Sequence, residues 1–383
     1  MRPLFLLLLI IFTQYILPSN VDAADLDEKL LSESGILIDA DSGQVLYEKN
    51  AEQKMYPASL TKVATAIYAI ETADLDEIVT VSAKARAVEG TRVYLEEGEQ
   101  VPLKKLIQGM LINSGNDAGV AIAEHLGGTS EQFAEDLNSY LQAVVGVRHT
   151  HFTNAHGLFN EDHTTTASDL AKITQYAMKN STFREIFGTE ELKWEGEAWS
   201  TTLYHHHKMI RENPYKGITG GKTGYVDESG HTLITTAERG DQRLIAVTLK
   251  AESQAWAYQD AEALLDYGFD HFETVTIPEG TEFVSDNGST YSTDQDIIYT
   301  RMKGQDAELS VDDQGTLAIN QDKESLDTSF VLEGDKDKQE AEKNKKAAAD
   351  RTDKQSSVSY LWIIIIAGIG LLFFRKWIKR VVM

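Results

Sequence analysis

The sequence predicts an α+β fold in which an antiparallel sheet packs against a cluster of helices. Strand patterns stand at both ends of residues 24–273, and helical patterns lie between them. Short alternating segments with Gly and Asp-Asn turns fill residues 274–333, and an apolar run covers residues 358–374. We therefore expect a large α+β domain, then a small β-rich domain, and finally a C-terminal transmembrane helix.

A β-hairpin is predicted at the start of the large domain. Residues 35–39 and 44–47 are apolar segments of strand length, and Asp41, Ser42 and Gly43 between them are residues that favour turns. These two strands begin the predicted sheet, and strand patterns near the end of the domain complete it.

Helical periodicity dominates the middle of the large domain. From Ser59 onward, apolar residues recur three and four positions apart, as they do on one face of a helix. Strands return at residues 232–236 and 244–249. Further helices are predicted near residues 103–111, 118–125, 131–144, 168–178 and 256–267.

Both ends of the chain carry patterns associated with membranes. Arg2, an apolar run and small residues predict a signal peptide over residues 1–23, with an uncleaved anchor as the alternative. Residues 358–374 predict one membrane span, and the basic residues in the tail over residues 375–383 indicate that this tail is cytoplasmic. We therefore expect a single-pass protein of the cell membrane whose folded part lies on the extracytoplasmic face.

Composition distinguishes the two folded domains from the charged stretch that follows them. Residues 24–273 and 274–333 are predicted to be the two folded domains. Residues 334–357 consist mostly of charged residues, Gln and Ala, and such a stretch cannot bury a core. We expect it to be a solvated stalk that joins the β-rich domain to the membrane span.

The overall composition excludes several classes of function. The 383-residue chain holds no cysteine, which excludes thiol catalysis and thiolate metal sites. Its formal net charge is −24, which argues against a nucleic-acid partner because binding of phosphate backbones needs clustered Lys and Arg. The run His205-His206-His207 has no suitably spaced carboxylate, so we expect no metal and no other cofactor.

Ser59 and Lys62 form the first of three short motifs. Residues three apart on a helix share a face, so the Lys62 amine can reach the Ser59 hydroxyl. A serine hydroxyl becomes nucleophilic when a base removes its proton, and a lysine with a lowered pKa can be that base. On its own, S-x-x-K is more often an ordinary helix start with a solvated lysine.

Two further motifs follow in order. Ser114-Gly115-Asn116 lies between two helical stretches, where a hydroxyl and an amide can relay a proton and hold a substrate carbonyl. Lys222-Thr223-Gly224 leads into a strand, where a cation and a hydroxyl can receive a carboxylate beside an extended peptide. Each motif alone is typical of a plain turn, but the ordered trio is typical of β-lactamases and penicillin-binding proteins.

The chain resembles the serine D-Ala-D-Ala carboxypeptidases, which are the low-molecular-mass penicillin-binding proteins. The resemblance covers about residues 30–270 and implies a β-lactamase/transpeptidase-like fold. It also implies removal of the terminal D-Ala from peptidoglycan stem peptides and inhibition by β-lactams. The segments that carry it are residues 41–47, 57–62, 114–118, 154–158, 165–170 and 221–224.

The resemblance also implies a role for each motif residue. Ser59 would be acylated, Lys62 would be its base, and Ser114 would assist proton transfer. Asn116 would hold the side chain or amide of the substrate.

The third motif would hold the other end of the substrate. Lys222 and Thr223 would bind the terminal carboxylate, and Gly224 would let the ligand approach the backbone. The backbone N–H groups of Ser59 and Tyr225 would form the oxyanion hole. Many relatives carry an arginine after the next strand to help hold the carboxylate, whereas residues 251–256 of this chain contain none.

Two other functions stay open at this point. A class A β-lactamase would need a glutamate-positioned water, but the chain has no convincing Glu-x-x-Leu-Asn segment, and Gly115 stands where such enzymes carry Asp. A non-hydrolytic receptor that senses penicillin or peptidoglycan would need more than the short tail that follows the predicted span. We therefore favour the carboxypeptidase.

Overall fold

The computed structural model describes Leu26, residues 29–197 and residues 199–334. The predicted signal peptide, membrane span and tail lie outside the described residues, as does the stalk after Gly334. Within the described ranges, no helix has the length and apolar character that a membrane crossing requires. The described residues form two units, of which the first runs to Thr274 and also takes in Met302–Gly304.

The first unit holds the elements that build the candidate site. A 3₁₀ turn (Ala58–Leu60) precedes α1, and a π turn (Leu141–Val145) follows α5. In chain order the helices and strands are β1 (Ser34–Asp39), β2 (Val45–Lys49), α1 (Thr61–Thr72), β3 (Ile78–Thr80), α2 (Ala83–Ala87), β4 (Gln100–Pro102), α3 (Leu103–Ile112), α4 (Asn116–Gly127), α5 (Ser130–Tyr140), α6 (Ala167–Met178), α7 (Ser181–Phe187), β5 (Glu191–Glu195), β6 (Ser200–Tyr204), α8 (Lys208–Arg211), β7 (Ile218–Val226), β8 (Gly230–Arg239), β9 (Gln242–Ala251) and α9 (Gln254–His271).

An antiparallel sheet organises this unit. Its strand order is β2-β1-β9-β8-β7, so the N-terminal hairpin pairs with strands from the far end of the unit. The register places Ile36 opposite Val247, and Lys222 opposite Ile234. The predicted α+β architecture and the predicted hairpin are therefore confirmed, and β7 is an edge strand of this sheet.

Helix α1 lies inside the helical cluster. Most of its residues are buried, including Val63 and Ile67, and a helix that is apolar on most sides is a core helix. Its central position carries Lys62 into the interior, where the side chain is fully buried. The predicted helices near residues 103–111, 118–125, 131–144, 168–178 and 256–267 are also confirmed.

The third motif lies within β7, and the glycines around it have a packing reason. A Cβ atom at Gly220 would overlap Phe187, one at Gly221 would overlap His207, and one at Gly224 would overlap Thr232. Glycines weaken a strand pattern in a sequence, so the strand was predicted only beyond the motif. Close packing on both faces of β7 therefore requires glycine at these three positions.

The second unit comprises Val275–Arg301 and the described residues from Gln305 onward. Its short strands pair antiparallel around a small core that contains Ile297, Tyr299 and Leu317. The strands from residue 272 to residue 334 are β10 (Phe272–Ile277), β11 (Glu282–Val284), β12 (Thr290–Ser292), β13 (Ile297–Met302), β14 (Glu308–Val311), β15 (Thr316–Asn320), β16 (Thr328–Val331) and β17 (Glu333–Gly334).

Candidate active site

Ser59 lies in the 3₁₀ turn immediately before α1. The preceding residue, Ala58, has φ +49°, a left-handed conformation that costs a non-glycine residue about 1–3 kcal/mol. Two glycines allow other segments to pack against this turn. A Cβ atom at Gly157 would overlap the Ala58 carbonyl, and one at Gly224 would lie 2.9 Å from the Ser59 backbone nitrogen. The backbone at Ser59 is therefore held between β7 and the loop that contains Gly157.

A series of hydrogen bonds between buried groups supports the turn that contains Ser59. His163 Nδ1 accepts a hydrogen bond from the Thr153 backbone N–H at 3.0 Å, so the neutral ring carries its proton on Nε2. Nε2 lies 2.8 Å from Thr61 Oγ1, and the Thr61 hydroxyl donates to the Ala58 carbonyl at 2.9 Å. Burial lowers the pKa of His163 to about 3, which keeps the ring neutral. This series of bonds ends on the strained residue that precedes Ser59.

The side-chain nitrogen of Lys62 has three hydrogen-bond partners. Lys62 Nζ lies 2.8 Å from Ser59 Oγ, 2.7 Å from Asn116 Oδ1 and 2.7 Å from the His156 carbonyl oxygen. Burial, and secondly the charge of Lys222, hold the pKa of Lys62 well below its ordinary value. The structure thus places a weakly basic amine against the Ser59 hydroxyl.

Ser114 and Lys222 form a second pair beside the first. Lys222 Nζ donates to Ser114 Oγ at 2.9 Å and to the Thr223 carbonyl at 2.7 Å. Burial lowers the pKa of Lys222 to about 7. Ser114 has φ +61°, which turns the chain between α3 and α4. A hydroxyl and a cation that can release its proton near neutral pH are therefore adjacent.

Asn116 joins Lys62 to the loop that contains Glu89. Its side-chain oxygen accepts from Lys62, and its Nδ2 donates to the Glu89 carbonyl at 2.7 Å. The residue is only 5% exposed, so most of its amide is committed to the protein. The predicted substrate contact by Asn116 stays a prediction, and the structure adds a positioning contact with Lys62.

Asp117 is a buried residue that the sequence reasoning did not single out. Its carboxylate accepts from the backbone N–H groups of Val93 (2.9 Å), Leu95 (3.1 Å) and Ala118 (2.9 Å). Burial raises the pKa of this carboxyl, and the hydrogen bonds act in the opposite direction. Asp117 therefore ties the loop before β4 to the start of α4. The only sequence signal for it was its place next to the second motif.

A cavity of about 340 Å³, here called the cleft, opens beside these groups. Five of the eight predicted site residues line it, and Lys62, Asn116 and Lys222 are buried behind them. The open edge of β7 forms one wall. The five predicted residues that line the cleft are Ser59, Ser114, Thr223, Gly224 and Tyr225.

The histidine run at residues 205–207 and the arginine-free segment at residues 251–256 both contribute to the surroundings of the cleft. His207 is buried beneath Gly221, and its Nε2 lies 2.9 Å from Thr235 Oγ1. Burial lowers the pKa of His207 to about 3, so it adds no charge behind β7. His206 and Gln254 line the cleft, and among the described residues that line it none is an arginine. No local pattern in the sequence places these residues together, because they come from separate elements.

Comparison with known proteins identifies close relatives in sequence. A family model described as D-alanyl-D-alanine carboxypeptidase matches residues 20–253. The D-alanyl-D-alanine carboxypeptidase DacF of Bacillus subtilis is 33% identical over 249 residues, which are 63% of this chain and 63% of that protein. The match thus spans less than two thirds of that relative. The D-alanyl-D-alanine carboxypeptidase DacA of Escherichia coli is 32% identical over 309 residues, which are 73% of this chain and 72% of that protein.

Comparison with a solved structure identifies the fold. Penicillin binding protein 5 from Haemophilus influenzae matches this chain with a TM-score of 0.70 at 24% identity. The match covers 80% of this chain and 96% of that one. The likeness confirms the predicted transpeptidase-like α+β fold.

Proposed function

Because the chain belongs to the D-alanyl-D-alanine carboxypeptidase family of serine peptidases, we propose that it removes the terminal D-Ala from peptidoglycan stem pentapeptides. One observation carries this proposal. The Ser59 hydroxyl lies 2.8 Å from the amine of Lys62, which is fully buried and has a strongly lowered pKa. A neutral amine at this distance can take the hydroxyl proton.

The hydrogen bonds of Lys62 orient this proton transfer. A neutral amine has two N–H donors and one lone pair. Asn116 Oδ1 and the His156 carbonyl only accept, so they take both donors. The lone pair is then left for Ser59, whose hydroxyl donates to it. Ser59 Oγ attacks the carbonyl of the penultimate D-Ala as its proton passes to Lys62.

Negative charge develops on the oxygen of the attacked carbonyl, and two backbone N–H groups are proposed to donate hydrogen bonds to it. Gly224 lets β7 approach the Ser59 backbone nitrogen, and Ser59 and Tyr225 both line the cleft, so we propose that their N–H groups donate to the same carbonyl oxygen. Two such donors stabilise a tetrahedral oxyanion. The C–N bond then breaks, and Ser114 gives its proton to the leaving D-Ala amine while Lys222 resupplies Ser114. Water hydrolyses the acyl-enzyme ester in the second step.

Thr223 and Lys222 act on the terminal carboxylate in different ways. Thr223 lines the cleft, so its hydroxyl can contact the carboxylate directly. Lys222 is buried behind it, and its positive charge attracts the carboxylate without lining the cleft. β-Lactams carry a carboxylate and an acyl carbonyl in a similar arrangement, so we propose that they acylate Ser59 as well.

The reaction itself tests the proposed function. The full chain in detergent is incubated with a pentapeptide that ends in D-Ala-D-Ala, and free D-Ala is measured. We expect one D-Ala for each tetrapeptide formed, together with covalent labelling by a fluorescent penicillin. Absence of both D-Ala release and labelling would refute the function.

Replacement of Lys222 by Gln is expected to change the pH dependence of acylation. Below about pH 7 Lys222 is a cation whose repulsion lowers the pKa of Lys62. Without that repulsion the pKa of Lys62 rises, so its neutral form requires a higher pH. The acidic limb of the penicillin-acylation profile should therefore move to higher pH by roughly one unit.

The matched control for this variant is Lys193→Gln, which changes an exposed strand lysine outside the cleft. Its profile should coincide with that of the wild type. An unchanged acidic limb in Lys222→Gln would show that Lys222 does not set the basicity of Lys62.

We also propose a location for the protein. Residues 1–23 are an export signal, residues 358–374 are a membrane span, and the site faces the cell wall. The short apolar runs, the basic tail and the chemistry of the substrate support this location. The full chain should remain in the membrane fraction after a high-salt wash, whereas a chain that ends at residue 357 should be soluble. Release of the full chain by salt would contradict the span.

A further inference from the structure

We infer that Thr61 and His163 are positioning residues for the proposed acylation. Together they hold the peptide unit that carries the Ser59 N–H group, which is one of the two proposed oxyanion donors. Neither side chain lines the cleft, so both act through the backbone. The inference rests on the proposed function, since it concerns the same nucleophile.

The Ser59 N–H and the Ala58 carbonyl belong to one peptide unit. This unit is trans and planar, so its C=O and N–H bonds point in opposite directions. A contact that fixes the direction of the Ala58 oxygen therefore also fixes the direction of the Ser59 N–H. Ser59 lines the cleft, and within the described part of the chain no group accepts a hydrogen bond from its backbone N–H. This donor is available to the carbonyl oxygen of a bound substrate.

The Ala58 oxygen is held on more than one side. It accepts hydrogen bonds from the backbone N–H of Thr61 and from the Thr61 hydroxyl, the latter at 2.9 Å. Gly157 packs against it so closely that a Cβ atom at Gly157 would overlap the oxygen. Because these contacts hold the oxygen among buried groups, the Ser59 N–H at the opposite end of the peptide unit points towards the cleft.

The conformation of Ala58 makes this support necessary. Its φ of +49° lies in the left-handed region, which is unfavourable for a residue with a Cβ atom. Relaxation of Ala58 towards negative φ would rotate the following peptide unit and change the direction of the Ser59 N–H. The hydrogen bond from the Thr61 hydroxyl opposes this relaxation, because the rotation would break it.

His163 determines the direction in which the Thr61 hydroxyl donates. A hydroxyl has one proton to donate, and an imidazole nitrogen with a free lone pair would compete for it. Nδ1 of His163 accepts from the Thr153 N–H, so the neutral ring carries its proton on Nε2 and donates it to Thr61 Oγ1. The proton of the Thr61 hydroxyl is then left for the Ala58 oxygen.

Burial keeps this arrangement fixed. Thr61 and His163 are both buried, and the His163 ring stacks on Phe152 with centroids 5.0 Å apart. A buried polar group that loses its partner has no water to replace it, so each bond in the series is costly to break. The direction of the Ser59 N–H is thereby set before a substrate binds, as an oxyanion donor requires.

The test compares two variants of Thr61 in the full chain in detergent. Thr61→Val keeps the shape of the side chain and removes the hydroxyl, whereas Thr61→Ser keeps the hydroxyl. Penicillin labelling at several concentrations separates the dissociation constant of the noncovalent complex from the rate constant of acylation. We expect Thr61→Val to lower the rate constant on the order of tenfold or more, with the dissociation constant within about threefold. Thr61→Ser should retain a rate constant within about threefold of the wild type.

His163 is tested in the same way. His163→Gln supplies an amide that can both accept and donate, so it should acylate nearly as fast as the wild type. His163→Phe keeps an aromatic ring against Phe152 but can neither accept nor donate, so it should be slowed as Thr61→Val is. The double variant of Thr61→Val and His163→Phe should be no slower than the slower single variant, since both break the same series of bonds.

A boronic acid gives a readout that a merely structural role would not change. The boronic acid analogue of N-acetyl-D-Ala forms a tetrahedral adduct with Ser59, in which one boron-bound oxygen takes the place of the oxyanion. Its affinity for Thr61→Val should fall by about the same factor as the rate constant of acylation. The matched control is Thr174→Val, because Thr174 is also a buried helix threonine and donates to the Leu170 carbonyl at 2.8 Å. This control should change neither quantity.

Three results would overturn the inference while leaving the proposed function intact. They are acylation of Thr61→Val at the wild-type rate, an unchanged affinity of Thr61→Val for the boronic acid, and a Thr61→Ser or Thr174→Val variant that is slowed as much as Thr61→Val. If Thr61→Val does not fold, the comparison of His163→Phe with His163→Gln decides the question, and equal rates would overturn the inference. A wild type that neither releases D-Ala nor binds penicillin would refute the proposed function itself, and the inference with it.

Discussion

Replacement of Ser59 by Ala is expected to abolish covalent labelling by penicillin and to lower D-Ala release by about 10⁴-fold or more. The Ser59 oxygen is the atom that forms the new bond, and without it Lys62 has no nucleophile to activate. Labelling is measured on a gel with a fluorescent penicillin, and D-Ala release is measured on the pentapeptide.

The fold should survive this change. Ser59 is only half-buried, so loss of its hydroxyl removes one hydrogen bond with Lys62 and leaves a space smaller than a methyl group. The melting temperature should stay within a few degrees of the wild type. Ser181→Ala, at an exposed helix-start serine far from the motifs in sequence, is the matched control and should label normally. A covalent penicillin adduct on Ser59→Ala would show that another residue is the nucleophile.

Replacement of Lys62 by Met should slow acylation by about 10³-fold or more while the protein still folds. Methionine nearly matches the volume of lysine but cannot accept the Ser59 proton. The rate of penicillin labelling under single-turnover conditions measures this step directly.

The Lys62→Met substitution has two opposing effects on the stability of the folded state. Removal of a buried amine relieves its desolvation, which favours the folded state. The oxygens of Asn116 and His156 each lose a hydrogen bond, which costs about 1–3 kcal/mol for each buried acceptor. We expect a melting temperature within several degrees of the wild type, as judged against Lys172→Met at an exposed helix position. Acylation at the wild-type rate would mean that a different base acts on Ser59.

Local sequence patterns were sufficient to predict the fold class and to propose Ser59 as the nucleophile. The turn at residues 41–43 and the helical spacing after Ser59 depend on near neighbours along the chain. The same holds for the pairing of Ser59 with Lys62, because residues three apart lie on one face of a helix. The missed elements, such as the β5–β6 hairpin, are short and have mixed polarity, so they carry little local signal.

The environment that we propose makes Ser59 reactive depends on long-range packing. Lys62 is a weak base because α1 is buried and because β7 brings the Lys222 cation near it. His163 lies 2.8 Å from Thr61, just after the turn that contains Ser59, and His207 fills the space beneath Gly221, although neither contact has a local pattern. Likewise, the Lys208 backbone N–H of α8 donates to the Tyr258 hydroxyl of α9, a contact between segments that are far apart in the sequence.

Residue identities and local patterns are enough to name the available groups: a serine oxygen, two lysine amines, a second hydroxyl and the edge of a strand. Their protonation, the distances between them and the space around them depend on how the whole domain packs. The physical reason is that periodicity reflects short-range geometry, whereas desolvation and charge–charge interaction depend on every segment that packs against a group.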